Sequence, residues 1–286
     1  MNRATNERLD ELREEVGRHG GRLDELREEM SRHGGALDEL RDQVGRQGGA
    51  LDELRGDISR QGDRVLDRVV EFEIRSRRDI VYAGDQQAGR ESNEFARDHL
   101  TTARQCEGRI EALRYALSQA PTGALALEFG VAAGESLRVI VQERGAGQTY
   151  GFDSFQGLPE SWLSGMPAGT FAQDQLPEVG GAKLVVGYFN DVLPQFLQEH
   201  PGPVDFLHID SDLYSSAKTV LQLVGPRLQP GSVVHFDEFF NYPGWQRHEF
   251  RAWNEYTEAT GLGFEYIAYA FDDCQVAVRI DSVPGS

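Results

Sequence analysis

Cysteine is scarce: the 286-residue chain has two, Cys106 and Cys274, far apart, without metal-ligand spacing and without a disulfide framework. That usage fits a reducing compartment. Positive charge is short as well, with 29 Lys and Arg against 47 Asp and Glu and a formal net charge of -18 at pH 7. Nucleic acid and anionic membrane surfaces are therefore disfavoured as main partners, because both repel such a chain and no basic cluster compensates. Long apolar runs are missing. Nothing approaches the roughly 18 residues that a bilayer span needs, and the N-terminal stretch MNRATNERLDELREE is charged from its start. These absences lead us to expect a soluble cytoplasmic protein.

What is present falls into three parts: residues 1–64, 65–120 and 121–286. Residues 9–64 repeat with a period of 14, as in LDELREEVGRHGGR and LDELREEMSRHGGA. With Leu9 at heptad position a and Leu12 at d, the a positions continue through Val16, Leu23, Met30, Leu37, Val44, Leu51 and Ile58. Leu26, Leu40 and Leu54 hold alternate d positions. The intervening d positions carry His19, His33, Gln47 and Gln61, which would form buried polar layers able to fix register and strand number. Glutamine in half of the repeats argues against a stack of histidine metal sites. Paired glycines at e and f, such as Gly20-Gly21 and Gly34-Gly35, each cost a helix roughly 1 kcal/mol relative to alanine. A helix so weakened is ordered by partners, so a homo-oligomeric coiled coil is expected; a flexible, partly helical tail is the alternative.

Residues 65–120 have helical spacing and read as a linker and cap. Pro121, Thr122 and Gly123 close the last of these helices and mark the domain boundary. Beyond them strands are expected near 124–129, 148–153, 183–187, 204–210 and 231–237. Helices are expected near 135–144, 190–199, 215–228 and 245–260, and FEYIAYAF with QVAVRI forms a final antiparallel pair. Such alternation predicts a doubly wound, mostly parallel, Rossmann-like α/β sheet that binds its ligands beyond the carboxyl ends of the strands.

The chain is organised around LALEFGVAAGES at 125–136, a strand, a glycine turn and a helix start. Gly130 and Gly134 let the backbone turn and approach a ligand, and Glu128 at the strand end suits a ligand with hydroxyls and a cation. The next strand ends in Asp153, close to the spacing of roughly 20 residues after the glycine turn at which an acidic residue meets ribose hydroxyls. Ser154 follows it and is counted with the cofactor residues. Ala132 replaces the second glycine of the dinucleotide fingerprint, so an adenosyl cofactor without pyrophosphate, S-adenosylmethionine, fits better than NAD.

Two later strands end in FLHIDSDLYSS and VVHFDEFFNYPGW. Asp210, Asp212, Asp237 and Glu238 then crowd one crevice, an arrangement costly by mutual repulsion unless a cation or proton intervenes, and oxygen donors suit Mg²⁺. Asp212 has a competing use as a helix cap. His208 and His235 share a strand face with the carboxylates, either tuning the site or simply buried. His248 and Glu249 read equally as substrate contacts or as a helix-surface pair.

The stretches LEFGVAAGES, YGFDSFQGLPESW, GYFNDVLPQF, FLHIDSDLYSSAKTVL, PGSVVHFDEFFNYPGW and HEFRAW resemble the macrocin O-methyltransferase (TylF-type) family of class I S-adenosylmethionine-dependent methyltransferases, over about residue 121 to the end. The resemblance implies that Glu128, Gly130 and Asp153 contact the cofactor. It further implies that Asp210, Asp237 and Glu238 hold Mg²⁺, that Asp212 is the general base, and that residues 154–160 form a loop over the site. Glu238 stands where many members carry a second Asp. The resulting expectation is an oligomeric, Mg²⁺-dependent O-methyltransferase acting on a hydroxyl of a sugar or glycosylated natural product. A scaffold that binds S-adenosylmethionine without turnover, and a dinucleotide oxidoreductase, are the alternatives.

Overall fold

The computed structural model describes residues 3–284 and divides the chain into two compact units, 1–78 and 79–286. The first unit is one helix, α1 (Arg3–Arg78), of 76 residues, continuous through every glycine pair and on past the last repeat. The apolar residues of its seam are open in the single chain, from 47% exposure at Leu9 to 75% at Met30. Surface pairs one turn apart support it, including Arg13 with Asp10 at 3.5 Å and Arg77 with Glu73 at 2.7 Å. Among the described residues no helix is long and apolar enough to cross a membrane.

The second unit runs α2 (Ile80–His99), β1 (Arg104–Cys106), α3 (Gly108–Gln119), β2 (Leu125–Phe129), α4 (Glu135–Arg144), β3 (Thr149–Asp153), β4 (Lys183–Val186) and α5 (Phe189–Glu199). It continues through β5 (Val204–Ile209), α6 (Tyr214–Val224), β6 (Leu228–Phe236), α7 (Glu249–Thr260), β7 (Gly263–Ala270) and β8 (Val276–Ser282). The strands form one sheet in the order β1-β7-β8-β6-β5-β2-β3-β4, parallel except that β8 runs against β6 and β7. This is the Rossmann-like α/β architecture that the alternation of elements predicts. Residues 125–129 and 204–209 are buried at every position, as strands covered on both faces must be. Ala126, Phe206 and Val233 pack against α3 and α4, whereas Leu127, Leu207 and Val234 belong to the core formed with α5, α6 and α7.

One local expectation fails. Residues 101–120 read as continuous helix, yet Arg104–Cys106 is an edge strand paired in parallel with β7, and helix begins only at Gly108. Three residues with one buried side chain give no period to detect, so the pairing is decided by the distant β7. The strand order reverses between β2 and β5: the chain leaves β2 towards β3 and β4, then returns to β5 on the other side. A crevice opens where such a reversal occurs, beyond the carboxyl ends of both strands.

Candidate active site

That crevice holds a cavity of ≈ 540 Å³, a size suited to a cofactor-sized ligand. Gly130, Val131, Ala132, Asp153 and Ser154 form one side, and Asp210, Asp212, Asp237 and Glu238 line it as well. The sheet therefore brings together seven of the residues singled out in the sequence. Glu128 and Gly134 are not among the lining residues. Glu128 is wholly buried and bonded to His208 Nδ1 at 2.9 Å, while Gly134 begins α4 at φ +77°, where an added Cβ would meet Val179 at 2.7 Å. The geometry thus gives Gly134 a packing reason and gives Glu128 a partner inside the protein.

Gly130 is needed for close approach. At φ +96°, a Cβ there would lie 1.7 Å from the Asp210 carbonyl oxygen, so any side chain would push the turn after β2 off the acidic end of β5. Backbone bonds from Gly130 to Phe152 and from Asp210 to Phe129, both 2.9 Å, stitch the three strand ends together. Asp153 ties down the same turn: its Oδ2 accepts the Val131 and Ala132 amides at 2.9 Å each, and its Oδ1 accepts Phe155 N–H at 2.7 Å.

The acidic wall is tightly coupled. His208, Asp210 and Asp237 each offer one ligand atom, all within 4.8 Å of one another, the arrangement of a metal-binding group. This trio includes His208 and leaves out Glu238, whose Oε2 is buried without a hydrogen-bond partner. Burial pushes the Asp210 carboxyl well above its ordinary range, and the Asp237 charge adds to the shift. Glu238 is raised for the same two reasons. Burial opposes charge on Asp237 too, but His208 outweighs it and holds that carboxyl down at about 2. On His208 itself burial works against protonation, while Asp237 and Glu128 more than offset it and raise the imidazole to about 10. The Asp237 oxygen is 3.8 Å from His208 Nε2, a charge contact too long for a hydrogen bond, and that nitrogen has no hydrogen-bond partner. His235 lies wholly buried with its ring centroid 5.0 Å from that of His208, and burial lowers it to about 3.

Asp212 stands apart from this trio. It is nearly buried, and burial followed by repulsion from Asp237 raises its carboxyl to about 7, in the range a general base requires. Its backbone is left-handed at φ +60°, a conformation that aspartate and asparagine adopt more readily than other side-chain-bearing residues. It does not cap α6, whose N-cap is Leu213 and which has no side-chain cap bond. The capping alternative is set aside.

Sequence reasoning left Glu249 undecided, and the structure removes the surface-pair option, since the residue is 0% exposed. Glu249 Oε1 accepts Ser211 N–H and Oε2 accepts Glu238 N–H, both at 3.2 Å, so one carboxyl joins the acidic ends of β5 and β6. No local pattern distinguishes such a residue from an exposed helical glutamate. Glu249→Gln turns one acceptor oxygen into an amide NH₂ donor facing an N–H; we expect lower thermal stability and roughly 10- to 100-fold weaker divalent-ion binding, measured by calorimetry. Ion affinity unchanged in a folded variant would exclude this positioning role. The loop at 154–160 is anchored across the cleft by Ser215 Oγ, which donates to Glu160 at 2.6 Å.

Residues 127–239 match the profile of a family described as a methyltransferase domain. The matched span runs from β2 to just beyond β6 and takes in the carboxyl-end cleft described above. No curated protein matches the chain. Solved structures with a similar course include CalS11, a calicheamicin methyltransferase, at 23% identity over 59% of this chain and 76% of that one, TM-score 0.46. The O-methyltransferase NovP is 22% identical over 61% and 80% of the two chains, TM-score 0.47. MycE, a methyltransferase from the mycinamycin biosynthetic pathway solved in complex with Mg, SAH and mycinamycin VI, is 17% identical over 60% and 50%, TM-score 0.39.

Proposed function

We propose that the chain is an S-adenosylmethionine-dependent, Mg²⁺-dependent O-methyltransferase of the macrocin O-methyltransferase type, acting on a hydroxyl of a sugar or glycosylated natural product. One observation carries the reading: a carboxylate raised to about 7, Asp212, lines the same cavity as the close-packed Asp210 and Asp237 and faces a glycine turn braced by Asp153. A structural role offers no return on crowding so many acids, whereas a site that binds a cation and moves a proton needs them.

In this reading Gly130 admits the cofactor close to the backbone, and Asp153 and Ser154 receive its ribose. S-adenosylmethionine supplies an electrophilic methyl on sulfur. The fit of a divalent cation rests on the clustered carboxylate oxygens of Asp210 and Asp237, the orphaned Glu238 oxygen, and the upward shift of the Asp210 and Glu238 carboxyls, whose mutual repulsion a cation would relieve. Asp210, Asp237 and Glu238 would hold it, and Mg²⁺ there would lower the pKa of an acceptor hydroxyl. With that cofactor bound, Asp212 would take the proton of the acceptor hydroxyl, so that the hydroxyl oxygen could receive the methyl group that S-adenosylmethionine supplies, its sulfonium leaving as the neutral thioether. His208, pinned through Nδ1 to Glu128 and 3.8 Å from Asp237, keeps compensating charge beneath the carboxylates. The chain would act as a homo-oligomer joined through α1, without nucleic-acid partners. Its two free cysteines support a cytoplasmic setting.

Titration calorimetry with S-adenosylmethionine and with NAD tests the cofactor assignment. Binding of S-adenosylmethionine alone is expected, and binding of NAD alone overturns the reading. Labelled methyl transfer into a metabolite extract, followed by mass spectrometry, then identifies the acceptor.

A further inference from the structure

The exposed seam of α1 also bears on how two copies of the helix would pair. We infer that two copies of α1 pair antiparallel over their full length, with Leu37 of one chain beside Leu40 of the other at the centre. This rests on the reading above that α1 joins copies of the chain.

The flanking positions decide the orientation. With a and d as assigned, Arg8, Glu15, Arg22, Asp57, Arg64 and Glu71 occupy g, while e alternates Arg and Gly from Arg13 to Gly62. In a parallel, in-register pair each g meets the e of the next heptad. Arg8 then faces Arg13 and Arg22 faces Arg27, each twice by symmetry, while Glu15 faces Gly20 and Asp57 faces Gly62. No such pair is attractive. In an antiparallel pair g meets g and e meets e, and full overlap sets Arg8 on Glu71, Glu15 on Arg64 and Arg22 on Asp57. At e every arginine then faces a glycine, Arg13 on Gly62 and Arg27 on Gly48 among them. These arginines lean back on aspartates of their own chain, Arg27 on Asp24 at 3.7 Å and Arg55 on Asp52 at 3.8 Å.

Register is selected just as sharply. A slip of one heptad puts Arg8 on Arg64 and Glu15 on Asp57, and a slip the other way puts Glu15 on Glu71 and Arg22 on Arg64. Full overlap alternates Leu-Leu layers, such as Leu23 with Leu54, with layers that set each polar d residue beside an apolar a residue. His33 then neighbours Val44, and Gln47 neighbours Met30. A self-facing histidine layer would favour the parallel form, but each polar d residue is followed by a glycine whose Cβ side is open, with nothing within 4 Å at Gly20, Gly34, Gly48 and Gly62. That gap lets the imidazole or amide reach water at the edge of the seam. The alternation of His or Gln at d with Gly at e has the same period as the charges, which accounts for a repeat of fourteen rather than seven.

Charge reversal in the full-length chain distinguishes the orientations by sign. Arg22→Glu sets Glu against Asp57 in the antiparallel pair and is expected to weaken dimerisation on the order of tenfold at low salt, and Arg22→Glu with Asp57→Arg is expected to restore it. In a parallel pair the single reversal converts Arg22 on Arg27 into an attraction and tightens association, which would overturn the proposal. Cysteine cross-linking gives an independent readout. Val16→Cys alone should not cross-link, because the two copies of residue 16 lie about 67 Å apart at 1.5 Å per residue, whereas Val16→Cys with Gln61→Cys should. A cross-link through Val16→Cys alone, or a trimer or tetramer by light scattering, refutes the antiparallel pair while leaving self-association standing. A monomeric full-length chain removes the self-association reading itself.

Discussion

Asp212→Asn is expected to cut turnover by roughly 10²- to 10⁴-fold, the usual worth of a general base, while S-adenosylmethionine and the divalent ion still bind. The asparagine keeps the size and hydrogen-bonding reach of the side chain but accepts no proton. Because asparagine also tolerates the left-handed φ of +60° that this position adopts, the fold should survive the change. Single-turnover rates and calorimetry on the same preparation separate the two outcomes. A variant that turns over like the parent removes Asp212 from the chemistry, and one that no longer folds returns it to a structural role. The wild-type rate should rise with pH through the region near 7, where burial and the Asp237 charge hold the free carboxyl. Bound Mg²⁺ should move that inflection down, since a cation favours the ionised form.

Asp237→Asn and Asp210→Asn are expected to abolish ion-supported activity, with excess Mg²⁺ restoring it only in part and cofactor binding retained. Full activity of the wild type in excess chelator would sink the metal role. The same cluster makes ion binding visible as stability. Asp212 at about 7 and Glu249 at about 8 are raised above their unfolded values, and Asp210 and Glu238 move the same way. In the ion-free protein their contribution to stability is present in full below about pH 4 and is lost as pH rises through 7 to 8. His208, raised to about 10, follows the same sign at higher pH, while the depressed Asp237 matters only as pH falls through 4 towards 2. Thermal melts without divalent ion should therefore show Tm falling from pH 5 to pH 8.5, and added Mg²⁺ should raise it most at the alkaline end. A Mg²⁺ effect independent of pH, or absent in the wild type, contradicts ion binding by these acids.

The sequence by itself determined what depends on neighbours along the chain. The 14-residue repeat specifies the long helix and its seam, and the glycines at 130 and 134 mark the turn between β2 and α4. Mostly apolar stretches at 125–129 and 204–209 place strands in a covered sheet, because strands buried on both faces lack a regular polar alternation. Asp153, Asp210, Asp212 and Asp237 were legible as site candidates because each stands at or just past a strand end, where α/β sheets bind ligands. Tertiary structure alone decided which of these act together, and how. Strand order sets β2 beside β5 and β5 beside β6, and that contact converts separate acids into one coupled cluster. Glu128 turned inward to His208, Gly134 served packing, and Glu249 came from α7 to join two loops, none of which has a local signature. The edge strand at 104–106 forms only because β7, some 160 residues further on, offers it a partner. Periodicity and turn chemistry are local properties and can be read in order, whereas burial, charge coupling and pairing at a sheet edge depend on residues that only the completed fold brings into contact.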